Sequence, residues 1–155
     1  MVSVSELAEI IGVDLDTINN WVRYNIIHRA RIGGGRQLRR RLFSTEEVYK
    51  TALIAELVTL GIAPSSASEA VDAIWEEWSA TEAPKGQKFY AVVVPTKDKW
   101  TALLCSRKAS GGPLYRYGQS TRTEMDLPKH AFAVIPITDV AERVGTKLSN
   151  LLRHP

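Results

Sequence analysis

Residues 3–24, SVSELAEIIGVDLDTINNWVRY, decide the fold, because they predict two short helices joined by a tight turn. Ser3 and Glu6 have the spacing of a capping box, in which each side chain binds the free backbone N–H of the other residue. Gly12 is a natural helix stop, since glycine adopts positive φ angles without strain. Asp14 then caps a second helix that runs to about residue 24. Two short helices around a glycine-containing turn predict a helix-turn-helix.

The second of these helices has an apolar arc and a polar arc. At about 100° per residue, one arc holds the side chains predicted to pack on the first helix. They are Leu15, Ile18, Trp21 and Val22. The opposite arc holds Asp16, Asn20 and Arg23, with Thr17, Asn19 and Tyr24 on its flanks. This polar arc is predicted to face outward.

An arginine-rich segment follows. Between Thr17 and Thr45 there is no acidic residue, yet there are seven arginines. They are Arg23, Arg29, Arg31, Arg36, Arg39, Arg40 and Arg41. Glycines 33–35 lie between arms that predict a β-hairpin over residues 28–43, and a hairpin directly after a helix-turn-helix is a wing. Arginines grouped without acids favour a polyanionic partner, because they repel one another until phosphates neutralise them.

Two more helices complete this part of the chain, residues 1–78. Ser44 and Glu47 form a second capping box, and the helix that it opens is predicted to run to Leu60. Pro64 suits the first turn of a further helix, because that turn needs no N–H from its first residues.

After residue 78 the chain changes character. Residues 79–88 are small and polar and contain proline and glycine, so they predict a linker. The elements predicted beyond it are strands over residues 89–96, 100–106 and 131–136, a loop-rich stretch over 107–128, and a helix from Thr138 or Asp139 to about Leu152. The predicted fold class is therefore α+β, with a helix-turn-helix domain over 1–78 and a small β-rich effector or dimerisation segment over 89–155.

The last helix carries an apolar stripe that steps by four and by three residues. It consists of Ile137, Ala141, Val144, Leu148 and Leu151. This spacing is typical of a helix–helix seam, and the stripe can pack either on its own sheet or on a second subunit. We take these residues as candidate dimerisation contacts, because helix-turn-helix proteins commonly dimerise to bind two half-sites.

The order helix, turn, helix, wing, helix, helix resembles the DNA-binding domain of the MerR family of bacterial regulators over residues 1–78. The residues that carry the resemblance are 7–13 (LAEIIGV) for the opening helix and turn, Thr17, Ile18 and Trp21 in the second helix, 25–27 (NII) at the Gly-Leu-Leu position, 41–44 (RLFS) for the closing arm of the wing, and 60–62 (LGI) between the last two helices. The chain departs from the family at Asn19 and Asn20, where an Arg and a Tyr are frequent. It also departs after residue 78, where a long dimerisation helix is usual.

The resemblance implies a DNA-binding transcription regulator. The helix-turn-helix architecture favours a homodimer, and the lack of an apolar span or a signal-peptide pattern predicts a cytoplasmic protein. The helix over residues 14–24 would enter the major groove, and the wing over 28–43 would lie on the backbone and minor groove. By the match to the family, Arg41 and Phe43 should contact the DNA backbone, and Arg36 at the hairpin tip is placed to enter a minor groove.

The chemistry of the outward arc suggests how bases would be read. Asn20 can pair with the N6 and N7 edge of adenine, and Arg23 can hold a guanine or a phosphate. Asp16 repels phosphates and would face a cytosine amino group. The full set of candidate DNA-binding residues is Asp16, Thr17, Asn19, Asn20, Arg23, Tyr24, Arg29, Arg31, Arg36, Arg39, Arg40, Arg41 and Phe43.

Other classes of protein are disfavoured. The chain holds a single cysteine, Cys105, and three scattered histidines, so we expect no metal site, no cofactor and no catalytic site. Cys105 follows two leucines in a predicted strand, which favours a buried, inert thiol. No apolar run reaches the roughly 18 residues of a membrane span, and the N-terminus does not resemble a signal peptide. Trp100, Tyr115 and Tyr117 are either ordinary sheet aromatics, which we favour, or the lining of a pocket for an unknown small-molecule effector.

Two alternative functions stay open. One is an architectural or excisionase-like factor that bends DNA without sensing a ligand. The other is a ligand-binding or protein-interaction module whose helix-turn-helix has lost DNA binding. A ligand that changes DNA affinity separates the regulator from both.

Overall fold

The structure, a computed structural model, describes residues 1–28, 42–80, 86–96, 100–111, 113–117 and 133–153. In these ranges the chain is a mixture of helix and strand, with five helices and two sheets. The helices are α1 (Val4–Ile11), α2 (Leu15–Arg23), α3 (Thr45–Thr59), α4 (Pro64–Ser79) and α5 (Ile137–Arg153). The strands are β1 (Val2–Ser3), β2 (Leu42–Phe43), β3 (Gln87–Pro95), β4 (Trp100–Lys108), β5 (Tyr115–Arg116) and β6 (Ala133–Ile135).

The predicted helix starts are confirmed by their caps. The Ser3 N–H donates to Glu6 Oε2 at 2.6 Å, and the Glu6 N–H donates to Ser3 Oγ at 3.3 Å. Ser44 and Glu47 make the same pair of bonds, at 2.9 and 3.2 Å, in front of α3. Each box satisfies backbone donors that an isolated helix leaves unpaired. Both helices therefore begin where the sequence predicts.

The first sheet joins the N-terminus to the end of the arginine-rich segment. β1 and β2 are antiparallel, with Val2 opposite Phe43 and Ser3 opposite Leu42. The predicted hairpin over 28–43 is therefore described only at its closing end, which pairs with the N-terminus; its residues 29–41 lie outside the described part of the chain.

The second sheet is antiparallel, with strand order β5-β4-β3-β6. The hairpin of β3 and β4 confirms two predicted strands, and its register runs from Gln87 opposite Lys108 to Pro95 opposite Trp100. The third predicted strand is present as β6, which pairs with the other edge of β3. The two-residue strand β5 lies in the stretch predicted to be loop-rich, because so short a strand leaves no periodicity to detect.

One apolar core runs through both parts of the chain. Leu7, Ile18 and Phe43 from the helix-turn-helix side and Phe89 and Leu104 from the sheet all belong to the same buried cluster. α3 packs on α4, α4 packs on β4, and α5 packs on α3, β3 and α1. The predicted linker over 79–88 contains the end of α4 and the start of β3. The two parts that it connects also pack against each other, through α4 on β4 and α5 on α3.

The predicted dimerisation stripe is used inside the protomer, which corrects that assignment. Ile137, Val144 and Leu148 are 0%, 1% and 8% exposed and belong to the core. Ala141 is half-buried, and Leu151 packs against the same core. The stripe could pack within its own chain or on a second subunit. It packs within its own chain, against α1, α3 and β3. The side chains of Ile137, Val144 and Leu148 are therefore not available as a subunit seam.

None of the described helices is both long and apolar enough to cross a membrane.

The core assignment predicts different costs for two leucines near the end of α3. Leu57 is 1% exposed and Leu60 is 50% exposed. Replacing Leu57 by alanine should lower the free energy of unfolding by about 2–5 kcal/mol, because it opens a cavity in the core. Leu60→Ala, the matched control, should cost less than about 1 kcal/mol. Urea unfolding measures both, and equal costs would contradict the placement of α3 in the core.

Candidate nucleic-acid interface

The turn before α2 is built from backbone bonds and one carboxylate. Gly12 has a φ of +80°, and its N–H donates to the Ala8 carbonyl at 2.8 Å. The Val13 N–H donates to the same oxygen at 3.2 Å. Asp14 then accepts from the Thr17 N–H at 2.8 Å and from the Thr17 hydroxyl at 2.6 Å. These bonds lower the pKa of Asp14 below its ordinary value of 3.8 and define where α2 begins.

The inner face of α2 is largely as predicted. Ile18, Trp21 and Val22 are 0%, 5% and 8% exposed and lie in the core. Leu15 does not, because 46% of its surface is exposed. It is the first residue of α2, directly after the cap, so the prediction that it packs with the other three is wrong. The remaining apolar residues still fix the rotation of α2 about its axis.

The outer face presents the predicted polar arc. Asp16, Asn20 and Arg23 are exposed, whereas Thr17 and Asn19 on the flank are half-buried. Because the Thr17 hydroxyl donates to Asp14, Thr17 acts first as part of the cap. Three polar side chains, one acidic, one amide and one basic, are thus brought to one surface.

Arg23 and Tyr24 form the C-terminal end of this surface. Tyr24 is 69% exposed, and the guanidinium carbon of Arg23 lies 5.9 Å from the centre of its ring. That distance is within the range of a cation–π contact. The pair can offer a cation and a planar face to the same ligand.

The exit from α2 is held by α4, a contact that the sequence does not reveal. Asn25 adopts a left-handed conformation with a φ of +58°, which asparagine tolerates better than most residues. The next carbonyl, that of Ile26, accepts a hydrogen bond from the Ser68 hydroxyl at 2.9 Å. Ser68 is 42 residues away in the chain and has no motif around it. Its hydroxyl fixes the Ile26 carbonyl directly after α2.

Of the candidate DNA-binding residues on the predicted wing, the structure describes one. Phe43 is fully buried in the core and pairs with Val2, so its side chain cannot contact DNA. The prediction for Phe43 is corrected on this point, because an unsubstituted benzyl ring gains more from burial than from lying near phosphates. The other six lie outside the described residues: Arg29, Arg31, Arg36, Arg39, Arg40 and Arg41.

The remaining candidates lie in the second sheet and do not converge. Tyr117 packs edge-to-face on Phe89 with ring centres 5.1 Å apart, and Trp100 packs against the core. Tyr115 lines a cavity of about 290 Å³ together with Lys108. The three aromatics therefore do not form one pocket.

Cys105 is fully buried, and burial raises the pKa of its thiol to about 11, which confirms the predicted buried thiol. Across the described residues, no group of three or more His, Cys, Asp or Glu side chains is placed to hold a metal ion.

A capped helix-turn-helix with one buried and one polar helix face defines a class of nucleic-acid-binding domain. Residues 2–74 match the model of the MerR HTH family regulatory proteins. The N-terminal part of the chain is therefore a MerR-family helix-turn-helix domain, as the residue pattern predicts, and this family is one of DNA-binding transcription regulators. No curated protein matches the chain.

The Asp14 cap predicts a specific dependence of stability on pH. Because the folded pKa of Asp14 lies below the ordinary value of 3.8, the stabilisation by its carboxylate is complete well above pH 3.8. It is lost as the pH falls below 3.8 and through the lower, folded pKa. Asp14→Asn keeps a capping oxygen but does not titrate. Between pH 6 and pH 3 the variant should therefore lose less free energy of unfolding than the wild type, as measured by urea unfolding.

Asp14→Ala is the companion variant, because it removes the cap altogether. It should be less stable than Asp14→Asn already at pH 6. If Asp14→Asn loses as much stability in acid as the wild type, the Asp14 carboxylate is not the titrating cap.

Proposed function

We propose that the protein is a sequence-specific transcription regulator that binds double-stranded DNA as a homodimer. α2 lies in the major groove, and the arginine-rich wing over 28–43 lies on the backbone and minor groove. The observation that carries the proposal is the outer face of α2, where Asp16, Asn20 and Arg23 are exposed on a helix held rigidly by its cap and its buried face.

The spacing on that face suits the reading of adjacent bases. Asn20 and Arg23 are three residues apart, so they are neighbours on one side of the helix. An asparagine amide matches the edge of adenine, and an arginine matches guanine or a phosphate. Asp16, four residues before Asn20, disfavours phosphate at its position and so restricts the docking of α2. Asn19 and Tyr24 lie beside this set, where they can contact sugar or phosphate.

Affinity in this proposal comes chiefly from the arginine-rich segment. Six arginines occur between residues 29 and 41 with no acid among them. Contacts to phosphate release counterions, which gives binding energy that does not depend on sequence. The outer face of α2 then supplies the preference between sequences.

The homodimer follows from the need to read two half-sites. Because Ile137, Val144 and Leu148 of the α5 stripe are buried in their own protomer, we propose that the dimer uses a different surface. The segment over 89–155 is proposed to supply that surface or to bind an effector.

A salt series tests DNA binding directly. The affinity of the wild type is measured for random duplex DNA and for the DNA upstream of its own gene. The logarithm of affinity should fall against the logarithm of salt concentration with a slope of about −0.9 per phosphate contact. A steep slope with a clear preference for the upstream DNA supports a specific regulator.

The other outcomes of the salt series are equally informative. A steep slope without preference would replace the regulator by an architectural, DNA-bending factor. No binding at low salt would overturn both DNA-binding functions and leave a ligand-binding or protein-interaction module.

Asn20→Ala separates base reading from backbone binding. If Asn20 reads a base, the preference for upstream over random DNA should fall by about 1–3 kcal/mol, while the salt slope stays unchanged. Asn150→Ala is the control, because Asn150 is an exposed asparagine on α5, outside the matched domain. If Asn20→Ala keeps the full preference for upstream over random DNA, Asn20 does not read a base.

A further inference from the structure

The C-terminal end of α1 is in contact with a lysine from α5, near the other end of the chain. α1 has no basic residue in its last turn, although cations there are favoured by the helix dipole. Instead, the ammonium group of Lys147 on α5 donates to the carbonyl oxygens of Ile10 at 2.8 Å and Glu9 at 3.3 Å. Lys147 thus caps a helix that is 137 residues away in sequence.

The position of these carbonyls is what makes the contact relevant to DNA. The last four carbonyls of a helix have no partner within it. In α1, the Ala8 carbonyl is bonded by the amides of Gly12 and Val13, which form the turn, and the next two carbonyls are bonded by Lys147. The turn leads directly to the Asp14 cap of α2. Lys147 therefore acts on the joint between the two helices of the helix-turn-helix.

The contact is made with the backbone rather than with a side chain. Lys147 shares its surface with Glu6 and Glu9, the two carboxylates of α1. The Glu6 carboxylate accepts from the Ser3 N–H, and among the described residues neither acid forms an ion pair with Lys147. The geometry is that of a helix cap.

α5 is also held by polar contacts to α3 and to β3. Arg143, one turn before Lys147 and on the same side of α5, forms an ion pair with Glu56 of α3. At the start of α5, the Thr138 hydroxyl oxygen accepts from the Phe89 N–H at 2.8 Å, and Asp139 pairs with Lys88 at 2.6 Å. Both of these partners lie on β3. α5 is thus fixed to the sheet at one end and to the helix-turn-helix at the other.

We propose that Lys147 is a positioning residue for DNA binding, which acts by holding the C-terminal end of α1 and, through the turn, the orientation of α2. The inference rests on the proposed DNA-binding function. It assigns to α5 a role in the DNA-binding unit itself, although α5 lies outside the matched residues 2–74. It also gives the second sheet a physical route to α2, from β3 through α5.

Three variants of the full chain test the proposal. Lys147→Met keeps an unbranched apolar chain and removes the donors, Lys147→Arg keeps a cation, and Arg153→Met is the control. Arg153 is an exposed cation in the last turn of α5, so its replacement changes the net charge by the same amount. Affinity for the upstream DNA is measured over a salt series, and hydrogen exchange is measured at the amides of residues 11–17.

We expect Lys147→Met to bind the upstream DNA about fivefold more weakly or worse, from the loss of charge-assisted bonds. Its salt slope should be unchanged, and amides 11–17 should lose protection. Lys147→Arg should restore binding to within about twofold, and Arg153→Met should match the wild type in affinity and protection.

Several results would overturn the proposal. One is wild-type affinity in Lys147→Met. Another is a salt slope reduced by about 0.9, which would make Lys147 a direct phosphate contact. A third is a loss of affinity shared by Arg153→Met, which would indicate a general effect of charge. If the wild type binds no DNA, the proposed function fails, and protection of amides 11–17 alone decides whether Lys147 holds the turn.

Discussion

The helix-turn-helix depends on how the free backbone groups at the ends of its helices are satisfied. Within a few residues, α1 must end and α2 must begin, and each end leaves carbonyls or amides without partners inside the helix. Gly12 and Val13 bond the Ala8 carbonyl, Lys147 bonds the next two, and Asp14 bonds the first turn of α2. The angle between the helices, and so the direction of the outer face of α2, rests on these bonds together with the packing of the inner face.

A single core is the second constraint. The apolar stripe of α5 packs against α1, α3 and β3, so residues from both ends of the chain share one buried cluster. A helix with this spacing was equally suited to a second subunit. The choice was made by the apolar surface that the rest of the chain already presents, since an intramolecular contact does not carry the entropic cost of association. Ile137, Val144 and Leu148 are thereby withdrawn from any subunit contact.

The candidate site was partly predictable. Exposure of Asp16, Asn20 and Arg23 follows from helical periodicity alone, because the opposite arc contains Ile18 and Trp21. Two predictions were wrong, one at the end of a helix and one in a strand. Leu15 has the right phase but stands at the first position of α2, and Phe43 aligns with a family position on the wing but turns into the core.

By itself the sequence determined where the first three helices start, which face of α2 is polar, and that two paired strands follow a linker predicted to end at residue 88. These features depend on residues three or four positions apart, or on alternation along one strand, so the information is local. Only the tertiary structure decided that Ser68 holds the exit of α2, that Lys147 caps α1, and that α5 is internal. The hydrogen bonds of Ser68 and Lys147 join residues from 42 to 138 positions apart. No local pattern encodes contacts between residues so distant in the chain.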